Sequence, residues 1–291
     1  MRPPISRRGL LAGAGAAIAT LLIDACGGRA TQGPTTQGPT TTAGVPSSTS
    51  TATSSSAHPS TTSSIAGASP STASANPDAA AAYVDHGPAD TAQVALTFHF
   101  AGDPQLVATL LDELRSNHLR CTLFAIGDWI TANPVLTRRA IADGHELANH
   151  TKSHQSMLKL SRAQVRDEIA GGGQALVPFV GSIGNWFRPS GTDVPNDVIL
   201  QEAARVGYDV SLGYDIDSRD YTQPGSAAVV SKVDAQMHPG AIVSLHFGHR
   251  DTIDALPEIL RRITTMNLRP VTVTELLRPG TATKGLRRDG R

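Results

Sequence analysis

Apolar residues change their period repeatedly between Val94 and Leu277, and this alternation limits the fold more than any other feature. Short strand-like runs, "VALTF", "CTLFAI", "HELAN" and "AIVSLHF", are separated by longer stretches with helical spacing. The longer stretches include "PQLVATLLDELRSNHL", "PVLTRRAIADG", "PNDVILQEAARVG" and "TIDALPEILRRITTMN". Pro104 suits a first helical turn, Gly144 and Gly207 suit helix ends, and Ser161 suits an N-cap. Gly171 to Gly173 should loosen the helix that contains them. About seven strand-then-helix units result, which predicts an α/β protein with a parallel sheet, open or closed into a barrel. In such folds the ligand site lies beyond the carboxyl ends of the strands.

The alternation does not occupy all 291 residues. Residues 1–28 read as an export signal, with "SRRGLL" carrying twin arginines before an uncharged apolar run, Gly9 to Ile23. The run falls short of the ~20 residues of a membrane span. It ends in "LIDACGG", which resembles a lipobox with Cys26 as the lipid-bearing residue, although Asp24 is unusual there. Residues 29–80 are rich in Ser, Thr and Pro, and from Ala30 to Pro77 no Asp, Glu, Lys or Arg occurs. That composition cannot bury a core and is expected to stay disordered, spanning on the order of 40 Å as a stalk. Residues 81–280 form the expected globular domain, and 281–291 a basic flexible tail. Cys121, inside an apolar run, reads as a small core residue, since the domain holds no second cysteine. A formal net charge of zero gives no footprint for nucleic acid.

Residues able to do chemistry fall at the predicted strand ends. His99 and Asp103 follow the first strand, His150 and His154 the third, and Arg188 and Gly191 the fourth. Asp215, Asp217 and Asp220 follow the fifth, and His246 and His249 close the sixth. Two histidines four apart can reach one ion from a single helical turn, and a carboxylate such as Asp103 would complete a divalent site. Such an ion lowers the pKa of bound water to about 7. His246 suits a general acid kept charged by Asp217, and the backbone around Gly191 suits an oxyanion donor. Plainer readings stand beside these. His246 fits a core histidine, and Arg188 an ion pair with Asp217 or Asp220. Asp215 and Asp220 fit turns, while Trp186, Tyr221 and His249 fit either packing or a cleft wall.

The segment from about Val94 to Leu277 resembles the polysaccharide deacetylase family, the NodB-homology domain. "NHTKSHQSM" is similar to its metal motif, "WFRPSG" to its Arg-Pro motif, "DIDSRDY" to its Asp motif and "IVSLHF" to its terminal motif. "CTLFAIGDW" matches its second strand. The resemblance implies an incomplete (β/α)7 barrel and a divalent-metal hydrolase removing acetyl groups from N-acetylated sugars, with zinc expected and cobalt able to substitute. It implies His150 and His154 as metal ligands, His246 as the acid, Asp217 as its partner and Arg188 as the residue orienting the base. The first motif departs: where the family has Thr-Phe-Asp-Asp-Gly, this chain has "TFHFAGD". Either Asp103 binds the metal and neutral His99 is the base, which is the preferred reading, or His99 joins the ion and Asp103 is the base. A silent glycan-binding module and an O-acetyl esterase are the rival functions. The expected setting is extracytoplasmic, as a monomer held to the membrane through Cys26 and acting on polysaccharide.

Overall fold

The computed structural model describes residues 79–277. The signal segment with Cys26, the stalk through residue 78 and the basic tail lie outside the described residues. In the first half the elements are β1 (Ala82–Val84), β2 (Gln93–Phe100), α1 (Pro104–Ser116), β3 (Thr122–Ala125), α2 (Gly127–Ala132), α3 (Pro134–Ala142), β4 (Glu146–Asn149) and α4 (Arg162–Val180). They continue as α5 (Asp197–Val206), β5 (Val210–Leu212), β6 (Ile216–Asp217), α6 (Ser226–Asp234), β7 (Ile242–His246), α7 (Arg250–Thr265), β8 (Arg269–Val271) and α8 (Val273–Leu276).

Every strand pair is parallel. The neighbours run β4–β3–β2–β7–β6, β8 joins β2, and β1 pairs with β5. Single bridges from Phe187 to Asn149 and to Ser211 carry the pairing from β4 across to β5. With Phe187 as a stave, the order β1–β5–Phe187–β4–β3–β2–β7–β6 curls around one interior. No ladder among the described residues joins β1 to β6, so the barrel stays open at that seam. The α/β architecture and its incomplete closure match the expectation from the resemblance.

The two-residue period of β2 builds the site. Val94, Leu96, Phe98 and Phe100 face the outer helix layer, in one cluster with Leu110, Leu111 and Leu114 of α1. Truncating a fully buried leucine such as Leu96 to alanine costs about 2–5 kcal/mol. The intervening residues Ala95, Thr97 and His99 face the other way. Ala95 joins a second cluster with Phe124 and Ile242, and Thr97 donates to Val243 O at 2.7 Å. His99, next in that row, therefore points inward at the carboxyl end of the strand.

The structure corrects two local expectations. β2 continues through Phe100, so His99 sits in the strand and not in the loop after it. The helix α4 runs unbroken across Gly171 to Gly173. Its glycines serve contact: a Cβ on Gly172 would lie 2.2 Å from Asn149 Oδ1 and 2.6 Å from the Thr151 backbone. Their absent side chains let α4 lie directly on the end of β4. The strands β1 and β6 and the helix α2 are too short for periodicity to find.

Candidate metal centre and active site

The segment "NHTKSHQSM" is a loop, not the helical turn expected from its histidine spacing. Asn149 anchors it: its Nδ2 donates to Ile169 O at 2.8 Å and Tyr208 Oη at 2.9 Å, and its Oδ1 accepts from Thr151 N at 2.8 Å. Glu168 of α4 accepts from Ser153 N at 2.9 Å and Ser153 Oγ at 2.6 Å. These bonds hold Thr151 (φ 67°) and His154 (φ 61°) in the left-handed region, which a β-branched residue rarely enters. Such strain persists where surrounding contacts over-determine it, and it gathers at functional sites. The result brings the rings of His150 and His154 to 4.9 Å.

His99 joins them. In register it lies opposite Phe124 of β3 and His246 of β7. Its ring centroid is 4.2 Å from that of His150 and 4.2 Å from that of His246. One ring nitrogen from each of His99, His150 and His154 falls within 4.8 Å of the others. The Nδ1–H of His150 donates to Arg188 O at 2.9 Å, which leaves Nε2 a bare lone pair without a partner. In His99, Nε2 faces Ser244 Oγ at 3.4 Å and buried Nδ1 has no partner. Burial, then the neighbouring rings, holds the pKa of His99 and His150 well below the ordinary imidazole value, and burial lowers that of His154 as well. Three neutral imidazoles with lone pairs converging, that of His150 oriented by the Arg188 carbonyl, fit a first-row divalent ion such as zinc or cobalt.

Asp103 does not belong to this group. Its Oδ1 accepts from Gln105 N at 2.9 Å and Leu106 N at 3.1 Å, the N-cap of α1. The Pro104 that opens the helix fixes Asp103 as its cap. The group that joins His150 and His154 is therefore His99, where Asp103 was the preferred expectation. The Asp103 carboxylate is exposed and engaged by the helix, apart from the imidazoles.

The partner of His246 is corrected from Asp217 to Asp220. Asp217 accepts from Arg219 N at 3.0 Å and pairs with Arg219 Nε at 2.7 Å. Asp220 was expected only as a turn residue, yet its side chain is 0 % exposed. Its Oδ1 accepts from His246 Nδ1 at 2.7 Å and Tyr221 N at 2.9 Å. Its Oδ2 accepts from His246 N at 2.7 Å and Thr252 Oγ1 at 2.6 Å. Burial pushes the Asp220 carboxyl up, but these bonds outweigh it and hold the group below the usual carboxylate range. Nothing in the sequence separates Asp217 from Asp220 within "DIDSRDY". The turn at Arg219 (φ 59°) decides between them. Thr252, which completes the shell around Asp220, gives no sequence signal either.

Arg188 makes no ion pair with Asp217 or Asp220. It is 1 % exposed and donates from Nε to Leu212 O (3.1 Å), from Nη2 to Gly213 O (2.8 Å) and from Nη1 to Thr97 Oγ1 (3.0 Å). Its guanidinium carbon lies 3.9 Å from the centroid of the Phe124 ring and 5.1 Å from that of Tyr214. Burial pulls its pKa down to about 9, against the opposing pull of Tyr214 and Tyr83. Gly191 sits at φ 66°, where a Cβ would meet Ser156 Cα at 2.8 Å. A cavity of about 560 Å³ has His99, His154, Arg188, Gly191, Tyr221 and His246 in its wall.

Fold and pocket together define an α/β barrel with its polar chemistry gathered at the carboxyl ends of its strands, the layout of barrel enzymes. The chain belongs to the polysaccharide deacetylase family, whose sequence model matches residues 86–211. It is 33 % identical over 195 residues to a peptidoglycan-N-acetylglucosamine deacetylase of Bacillus cereus, covering 66 % of this chain and 91 % of that one. It is also 33 % identical over 159 residues to a chitooligosaccharide deacetylase of a Bradyrhizobium species, covering 55 % and 72 %. The crystal structure of the Bc1960 peptidoglycan N-acetylglucosamine deacetylase superposes with a TM-score of 0.63 at 24 % identity, over 69 % of this chain and 95 % of that one. That likeness confirms the fold.

Proposed function

We propose that this chain is a metal-dependent hydrolase that removes acetyl groups from N-acetylated cell-envelope polysaccharide, with the ion held by His99, His150 and His154. The observation that carries the reading is the convergence of three neutral imidazoles beside the His246–Asp220 pair, at a cavity that His99, His154 and His246 line. The relatives named above act on peptidoglycan and on chitooligosaccharide, and both substrates fit the reading.

A divalent ion bound there would polarise the acetamide carbonyl and an attacking water. The residues of the chain supply the rest. Asp220 fixes the proton of His246 on Nδ1, so Nε2 is the nitrogen available to the substrate. Among the described residues no carboxylate joins the imidazole cluster. His246 is thus the group to accept the proton of the water and return it to the departing amine, while Asp220 stabilises the charged ring between the two transfers. The Gly191 amide is the candidate donor to the oxyanion, and Tyr221 and His249 give the sugar a wall. The twin-arginine signal and the lipobox-like Cys26 support export and anchoring on the extracytoplasmic face.

Acetate release by the purified full chain tests the reading. N-acetylglucosamine oligomers and peptidoglycan fragments are offered with zinc or cobalt, then with chelator. Release that chelator abolishes is the expected result. Bound metal without release on any substrate would overturn it in favour of a glycan-binding module, which the altered "TFHFAGD" motif favours.

A further inference from the structure

Arg188 is a buried cation without an opposing charge. It donates only to two backbone carbonyls and a hydroxyl, and it lies between two aromatic faces. Among the described residues no carboxylate pairs with it. The aspartates closest in role are engaged elsewhere: Asp220 on His246 and Thr252, Asp217 on Arg219, and Asp193 as acceptor for the Tyr214 hydroxyl. The imidazoles of His99 and His154, which line the same pocket, and that of His150 behind them bring no negative charge. A buried cation in such surroundings is costly until an anion is set against it.

The guanidinium is also prepared for one. Of its five N–H groups, Nε uses its single proton on Leu212 O, and each terminal nitrogen uses one of two, on Thr97 and Gly213. Each terminal nitrogen keeps one N–H, the pair that a carboxylate spans with two parallel bonds. The residue borders the cavity, so a small ligand can approach it from there.

We infer that the cavity is a carboxylate-binding site, with the carboxylate seated on the terminal edge of Arg188. The carboxylate has two chemical sources: the acetate released by deacetylation, or a carboxyl substituent on the N-acetylated sugar. Only this choice of sources rests on the deacetylase reading. The binding itself does not require turnover.

The experiment uses the full chain stripped of metal by chelator, so that no ion can capture the ligand. Acetate is titrated calorimetrically against acetamide, its uncharged isostere. Acetate is expected to bind at least roughly tenfold more tightly, the difference one charge-assisted pair makes. Magnetisation transfer from the acetate methyl to the Tyr214 ring places the ligand. Arg188→Met should abolish the preference and Arg188→Lys should keep part of it, with melting curves checking that each variant folds. If neither folds, the wild-type comparison and the methyl-to-ring transfer still decide. An N-acetylated sugar bearing a carboxyl group, compared with its methyl ester, separates the sources. Tighter binding of the free acid, displaced by acetate, assigns the carboxylate to substrate. Equal binding of acid and ester, with acetate still preferred over acetamide, assigns it to product. Equal affinity for acetate and acetamide, or an unchanged preference in a folded Arg188→Met, overturns the inference. Absence of acetate release with metal present would sink the deacetylase reading alone.

Discussion

Replacing Asp220 by asparagine and Asp217 by asparagine separates two carboxylates three residues apart. All four groups that meet Asp220 are donors: His246 N, His246 Nδ1, Tyr221 N and Thr252 Oγ1. Asparagine keeps one acceptor oxygen and turns an NH2 toward two of those donors. Two bonds to a buried anion are lost, each of about 1.5–3 kcal/mol, so Asp220→Asn should destabilise the fold by about 3–5 kcal/mol. For a folded region of this size that lowers the melting temperature by on the order of 10 °C. The same change leaves His246 without the group that fixes its tautomer, and kcat for acetate release should fall by about 10²–10⁴-fold. Asp217→Asn loses only a pair with the solvent-exposed Arg219, which water screens, so both readouts should stay close to wild type. Melting curves and initial rates of acetate release are the assays. A larger loss in Asp217→Asn than in Asp220→Asn, in either readout, would refute the assignment.

Three further outcomes are expected. His99→Ala should lose bound metal, measured by elemental analysis after dialysis, whereas Asp103→Ala should keep it and lose about 1 kcal/mol of stability with its helix cap. Gly172→Ala pushes a Cβ into Asn149 and the Thr151 backbone, so it should weaken metal binding from behind the loop and cost about 1–3 kcal/mol. A folded Gly172→Ala with wild-type metal affinity would show that the loop does not depend on α4. His145, buried and accepting from Cys121 N, has its pKa pulled by burial from 6.5 down to about 4. Between those pH values the unfolded chain holds a proton that the folded chain does not. Stability should therefore rise with pH across that window, by about 3 kcal/mol in all, and His145→Gln should flatten that limb of the denaturant-unfolding profile.

The alternation of periods was enough to find the parallel strands and to place His99, His150, His154, Arg188 and His246 on one rim, because strand order alone dictates where carboxyl ends lie. What escaped was set by turns and by contacts between distant segments. Asp103 reads as a ligand until Pro104 is seen to make it a cap. Asp217 and Asp220 are equivalent in a sequence, and only the positive φ of Arg219 turns the second one under His246. The triple glycine of α4 reads as a weakness because helix propensity is local, while its reason, the close approach to Asn149 and Thr151, is not.

The bonds that shape the loop after β4 come from Asn149, Glu168 and Ser190, all of them protein groups. In modules that are ordered by their metal, the free energy of binding is also the free energy of folding. Under the reading proposed above, an ion would meet a loop that protein groups already hold. The ordering entropy of the loop would then be charged to the fold and not to the ion.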